Sequence, residues 1–173
     1  MLSTRQIEDF HRYARNPETW VLSARRNLSV VKILSGHLEN QSSPFIKHDV
    51  IEISGCHNAM CFHAAAAVEN AAKAVLIARD PSVIENGVVN VKKFGSKSGH
   101  ALLDPVHFIL GVLASKETRY LTKLEEFVWL GRYAIPMRAD VLYDQEKMDV
   151  LRLSTPDEMD ILHSLVERLI KCI

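Results

Sequence analysis

Three features of the chain predict an all-α fold: an up-and-down bundle of four to five helices with an additional N-terminal helix and two long connections. Residues 61–80, CFHAAAAVENAAKAVLIARD, form an alanine-rich segment of high helix propensity. Apolar residues recur at helical spacing on both sides of it, and cap signals divide those flanking segments. Only residues 45–55 alternate in the manner of a strand, and no second clear strand is there to pair with them.

The elements follow in order. Residues 4–16 read as a short amphipathic helix with Ile7, Phe10 and Tyr13 on one side. Asn16 and Pro17 suit the N-cap and first turn of a second helix over 18–39. Val21, Leu22, Leu28, Val31, Leu34 and Leu38 give that helix its apolar stripe, while Arg25, Arg26 and Lys32 face outward. Residues 45–55 read as an extended crossing segment. A third helix over 57–79 stops at Asp80-Pro81. Its small side chains let several neighbours approach closely, which predicts that it is the centre of the bundle.

Residues 81–99 read as a long connection carrying Lys92, Lys93, Phe94 and Lys97, of a length that is often functional. Asp104-Pro105 reads as an N-cap with proline at N1, opening a short helix to 114. A further helix covers 117–133 and ends before Pro136, and residues 137–153 form a mixed tail. Thr155, Pro156 and Glu158 form a capping-box signature for the last helix, which turns Met159, Leu162, Val166, Leu169 and Ile170 inward. All of this fits one domain over residues 1–173 with its core over about 17–172.

Composition sets bounds on function. The 173 residues are 47% hydrophobic, enough for one adequate core. Lys plus Arg and Asp plus Glu both number 21, so any basic surface is local. Three cysteines, Cys56, Cys61 and Cys172, read as reduced thiols in a cytoplasmic protein. The N-terminus has no apolar core of the secretory type. The apolar stretch 64–78 is interrupted by Glu69, Asn70 and Lys73 and reads as too short and too polar for a bilayer span, so no membrane partner is expected.

Several side chains carry chemistry in principle. Glu69 and Lys73 stand at i and i+4 in the favourable order for a helix ion pair, and Lys73 is equally a cation for a phosphate in a cleft. His63 and Asn70 share a face among alanines and suggest an inter-helical hydrogen-bond site. Cys56, His57, Cys61 and His63 lack the ligand spacing of a zinc site, and neither a metal nor a cofactor is expected. Arg132, at the end of its helix, is placed either to cap its own carbonyls or to grip a phosphate. No P-loop, nucleophile-elbow or zinc-protease pattern is present.

Taken in order, the helix FHAAAAVENAAKAVL (62–76), the step Gly99-His100-Ala-Leu-Leu103 and the segment LEEFVWLGRYAIP (124–136) resemble the HEPN family of small helical domains. Glu69 and Lys73 match its first motif, Gly99 and His100 its second, and Arg132 and Tyr133 its third, with Ala134-Ile135 intervening before Pro136. The resemblance implies a cytoplasmic, dimeric helical domain of one of two kinds. Some members are metal-independent RNases of the toxin or defence type, with an Arg and a following His across a dimer cleft. Others bind nucleotides or serve as adaptor subunits of minimal nucleotidyltransferases.

This chain has no histidine in the window after Arg132, and the one spacing match, Arg5 to His11, falls in the N-terminal helix. The expectation is therefore a non-catalytic domain that binds a nucleotide or nucleic-acid phosphate through Glu69, Lys73, His100, Arg132 and Tyr133. Arg132 with His100, or Arg5 with His11, would serve the RNase alternative, and an apolar partner surface the adaptor alternative.

Overall fold

The structure, a computed structural model, describes residues 3–41, 50–85, 88–90, 101–130 and 156–173. Among these are six α-helices: α1 (Thr4–Ala14), α2 (Pro17–Gln41), α3 (Val50–Arg79), α4 (Leu103–Leu110), α5 (Ser115–Leu130) and α6 (Pro156–Ile170). The fold is an all-α helical bundle. Its axis is α3, which packs against α2, α4, α5 and α6.

The central position of α3 follows from its composition. Ala64, Ala65, Ala67, Ala71, Ala72 and Ala74 are buried, as are Val68, Val75, Leu76 and Ile77. Buried positions therefore surround the helix, the pattern of a core helix rather than a surface one. The neighbours fill the space with larger side chains: Leu28 and Val31 from α2, Leu121 and Leu124 from α5, Leu162 and Leu165 from α6. Small residues on the rod and large ones around it bring the helices close.

Local signals position the ends. Ser3 and Gln6 form a capping box at α1, with the Ser3 N–H donating to Gln6 Oε1 at 2.8 Å and the Gln6 N–H to Ser3 Oγ at 3.3 Å. Asn16 Oδ1 accepts from the Glu18 N–H at 3.0 Å, so the predicted Asn16-Pro17 start of α2 is present. Trp20 Nε1 donates to the Ala14 carbonyl at 2.8 Å and ties α1 to α2.

The structure corrects several expectations. Residues 50–55 are helical, not extended, because α3 begins at Val50; residues 45–49 lie outside the described set. Alternation over so few residues does not distinguish strand from buried helix. The predicted loop 81–99 begins with a 3-10 turn, Pro81–Val83, and a hairpin of two-residue strands, β1 (Ile84–Glu85) and β2 (Val88–Val89). Val83, Ile84 and Val89 bury themselves against Ile77 and Ala14 and close that end of α3.

Asp104 is not the N-cap of α4, which begins one residue earlier. Leu102 occupies the cap position without a side-chain bond, and Glu125 of α5 accepts from the Leu102 and Leu103 N–H groups, the latter at 2.6 Å. The helix stops at Leu110 rather than 114. Gly111 adopts φ 75°, a conformation that favours glycine, and its N–H donates to the His107 carbonyl at 2.9 Å. Leu22 was expected to be inward and is exposed, as are Ile7, Phe10 and Tyr13 of α1.

The expectation that the apolar segment is too short for a bilayer is also revised. Gly55–Arg79 is 25 residues and passes as a span by length and composition, yet 67% of its most apolar window is buried within the bundle. A soluble core helix and a membrane span share these properties; here the apolar faces are taken up by other helices.

Candidate functional site

Lys73 and Glu69 form the predicted ion pair on α3, and both are largely sheltered, with 17% and 18% of their side chains exposed. The Lys73 ammonium also stands 5.5 Å from the centroid of the Trp20 ring on α2. Sequence periodicity carries the i, i+4 pairing but not Trp20, which belongs to a different helix. The indole face favours a cation, so a residue of α2 adds to the hold on the ammonium. An ammonium has three donors. One is taken by Glu69, and the Trp20 ring lies beside the same ammonium.

A second polar contact crosses the same pair of helices. Asn27 Nδ2 donates to the Ser23 carbonyl at 2.8 Å, which turns Asn27 Oδ1 toward His63 Nδ1, 2.7 Å away. Because the amide oxygen only accepts, Nδ1 is the donor in this contact. The expected inter-helical hydrogen bond of His63 therefore exists, with Asn27 of α2 as its partner. Beside it stands Phe62, 47% exposed, its ring edge-on to the imidazole with centroids 5.9 Å apart. Asn70 is half-buried on the same side of α3.

A third group lies in the interior where α3, α5 and α6 meet. His57 is buried and its Nε2 is 3.7 Å from Cys61 Sγ. Across from them, Lys123 of α5 donates to both oxygens of Glu158 of α6 at 2.9 Å. Burial pushes the His57 pKa below its ordinary value of 6.5; the Lys123 charge adds to that, and Glu158 opposes it. The Tyr120 hydroxyl is buried without a hydrogen-bond partner. Burial raises its pKa far above the usual phenol value, helped by Cys61 and Glu158. Among the described residues no three His, Cys, Asp or Glu side chains converge as metal ligands.

The other predicted site residues fall elsewhere. His100, Arg132 and Tyr133 lie outside the described residues. Arg5 and His11 both sit on α1, six positions and about 120° apart around the helix. Of the candidate residues, the structure thus describes Glu69 and Lys73 as a pair and adds Trp20 to them.

Compared with protein-family models, with curated proteins and with solved structures, the chain matches none.

Proposed function

We propose that this chain is a HEPN-like helical domain that binds a nucleotide or nucleic-acid phosphate without cleaving it. The observation that carries the reading is the seating of Lys73, a sheltered cation between the Glu69 carboxylate and the Trp20 ring. Water exclusion strengthens a charge contact relative to an exposed lysine, and the bundle pre-positions the ammonium. His100, Arg132 and Tyr133 join it in this reading through the family resemblance. A homodimer, with the ligand at an inter-helical or inter-subunit cleft, belongs to the same proposal.

The test is a thermal-shift series with mono-, di- and triphosphate nucleosides, repeated on Lys73→Met. Ligand at 100 times its Kd adds about 2.7 kcal/mol of stability, and this shift disappears in Lys73→Met. Absence of any shift in the parent protein, together with no retention of labelled RNA, overturns the reading. Cleavage of RNA in the presence of a chelator, lost in Arg132→Ala and His100→Ala, establishes the RNase alternative instead.

The adaptor reading has an observation of its own. Ile7, Phe10 and Tyr13 are 44%, 55% and 61% exposed on α1, an apolar stripe suited to a protein partner. Co-purification with a minimal nucleotidyltransferase, abolished by Phe10→Glu but not by Lys73→Met, supports that role.

A further inference from the structure

The Trp20 side chain is engaged on two sides. Its indole N–H donates to the Ala14 carbonyl at 2.8 Å, and its ring centroid lies 5.5 Å from the Lys73 ammonium. An indole is a rigid plane with one polar handle, so the bond that fixes its N–H also limits where its face points. Ala14 is the last residue of α1 and the buried one of that helix. It belongs to one apolar cluster with Val83, Ile84 and Ile77, and Ile77 follows Lys73 by one turn of α3. From Ser3 to Phe10 every residue of the segment is exposed. The helix thus buries only its C-terminal end, and an element with so little buried apolar surface opens at low cost.

We propose that Trp20 couples the seating of α1 to Lys73, so that α1 regulates how firmly the ammonium is held for its ligand. The inference rests on the phosphate-binding reading of Lys73 and adds a control element to it. With α1 seated, the Ala14 carbonyl holds the indole N–H, and the ring holds the ammonium beside Glu69. With α1 lifted, the indole N–H loses that acceptor, the ring is free to turn, and the ammonium loses its cation–π contact. Trp20 is therefore a positioning residue, acting through Lys73. Linkage makes the effect mutual: the factor by which seated α1 raises ligand affinity is the factor by which ligand favours the seated helix. The cation–π contact is what differs at Lys73 between the two states, which sets the coupling at about two- to fivefold.

Three readouts on the full chain test this: hydrogen exchange of the α1 amides, the NMR shifts of the Lys73 side-chain methylene protons, which a nearby ring face moves upfield, and ATP affinity by calorimetry. Ala14→Asp sets a carboxylate in the apolar cluster that seats α1. It is expected to speed exchange along α1, to return the Lys73 protons toward the positions of the other lysines, and to weaken ATP about two- to fivefold. Saturating ATP slows α1 exchange in the parent by a similar factor. Lys73→Met works from the far end and needs no ligand: it is expected to speed α1 exchange about two- to fivefold, so the coupling is read even if Ala14→Asp unfolds. Fast α1 exchange in Ala14→Asp with unmoved Lys73 protons and unchanged ATP affinity overturns the coupling and leaves the phosphate site standing, as does unchanged α1 exchange in Lys73→Met. No ATP binding by the parent overturns the phosphate reading instead, and the Trp20 coupling then stands or falls on the Lys73 protons and on α1 exchange in Lys73→Met.

Discussion

Glu125 of α5 caps α4 from a distance: its Oε1 accepts the backbone N–H groups of Leu102 and Leu103, more than twenty residues earlier in the chain. A helix start leaves N–H groups without partners, and a carboxylate there also suits the positive end of the helix. Asp104, the residue whose type and neighbour mark it as a cap, lies inside the first turn. Glu125→Ala is expected to cost about 1–2 kcal/mol in urea unfolding, and Asp104→Ala only about 0.5 kcal/mol. Equal costs for the two substitutions would mean that Glu125 does not cap α4.

That exchange of roles shows what the sequence makes legible. The rod of α3, the Asn16-Pro17 start of α2 and the inward residues Leu162, Val166 and Leu169 of α6 were readable because periodicity and caps are local. Contacts set by packing were not. Nothing near Leu102 announces Glu125, nothing near Lys73 announces Trp20, and nothing near His63 announces Asn27. The interior group of His57, Tyr120, Lys123 and Glu158 takes members from three helices, which no local pattern marks. The start of α3 departs from the extended reading because Ile51-Glu52-Ile53 alternates, a pattern too brief to separate strand from helix.

His57 predicts an acid sensitivity. Its folded-state pKa lies below the ordinary 6.5, chiefly through burial and secondarily through Lys123, with Glu158 opposing. As pH falls below 6.5 the unfolded chain binds a proton at this ring more readily than the folded chain does. Stability conferred by the neutral ring is therefore full above 6.5 and is lost as pH drops toward the folded-state pKa. Urea midpoints at pH 7.5 and 5.5 measure it: the decline should be shallower in His57→Asn, whatever that variant's absolute stability. Lys123→Met should also make the decline shallower, because removing the cation brings the folded pKa back toward 6.5. An unchanged slope in His57→Asn would assign the acid loss to other groups.

The alanine rod predicts a contrast between two substitutions on one helix. Ala71 is buried and Ala78 is exposed. Ala71→Leu forces added methylenes into the contact with neighbouring helices and is expected to cost about 1–3 kcal/mol or more. Ala78→Leu has solvent in which to place the same side chain and should change stability by no more than about 0.5 kcal/mol. Helix propensity is nearly the same for the two residue types, so the difference in unfolding free energy reports packing alone. Similar small effects at both positions would show that α3 is not closely packed.

Tyr120 predicts the opposite sign from an ordinary core change. Its ring is 2% exposed and packs in the main core, while its hydroxyl has no hydrogen-bond partner. A buried polar group without a partner has lost its water and gained nothing in return, at a cost of about 1–3 kcal/mol. Tyr120→Phe removes that hydroxyl, keeps the ring and leaves a gap of only one oxygen atom. The variant is expected to be as stable as the parent or up to about 1 kcal/mol more stable. Tyr120→Leu loses the ring and should cost about 1–3 kcal/mol by comparison. Calorimetric melting of the three proteins decides the matter: a clear loss in Tyr120→Phe would reveal a hydroxyl contact, such as a bridging water shared with Cys61 or Glu158, and would make this corner of the bundle a polar network in place of an apolar junction.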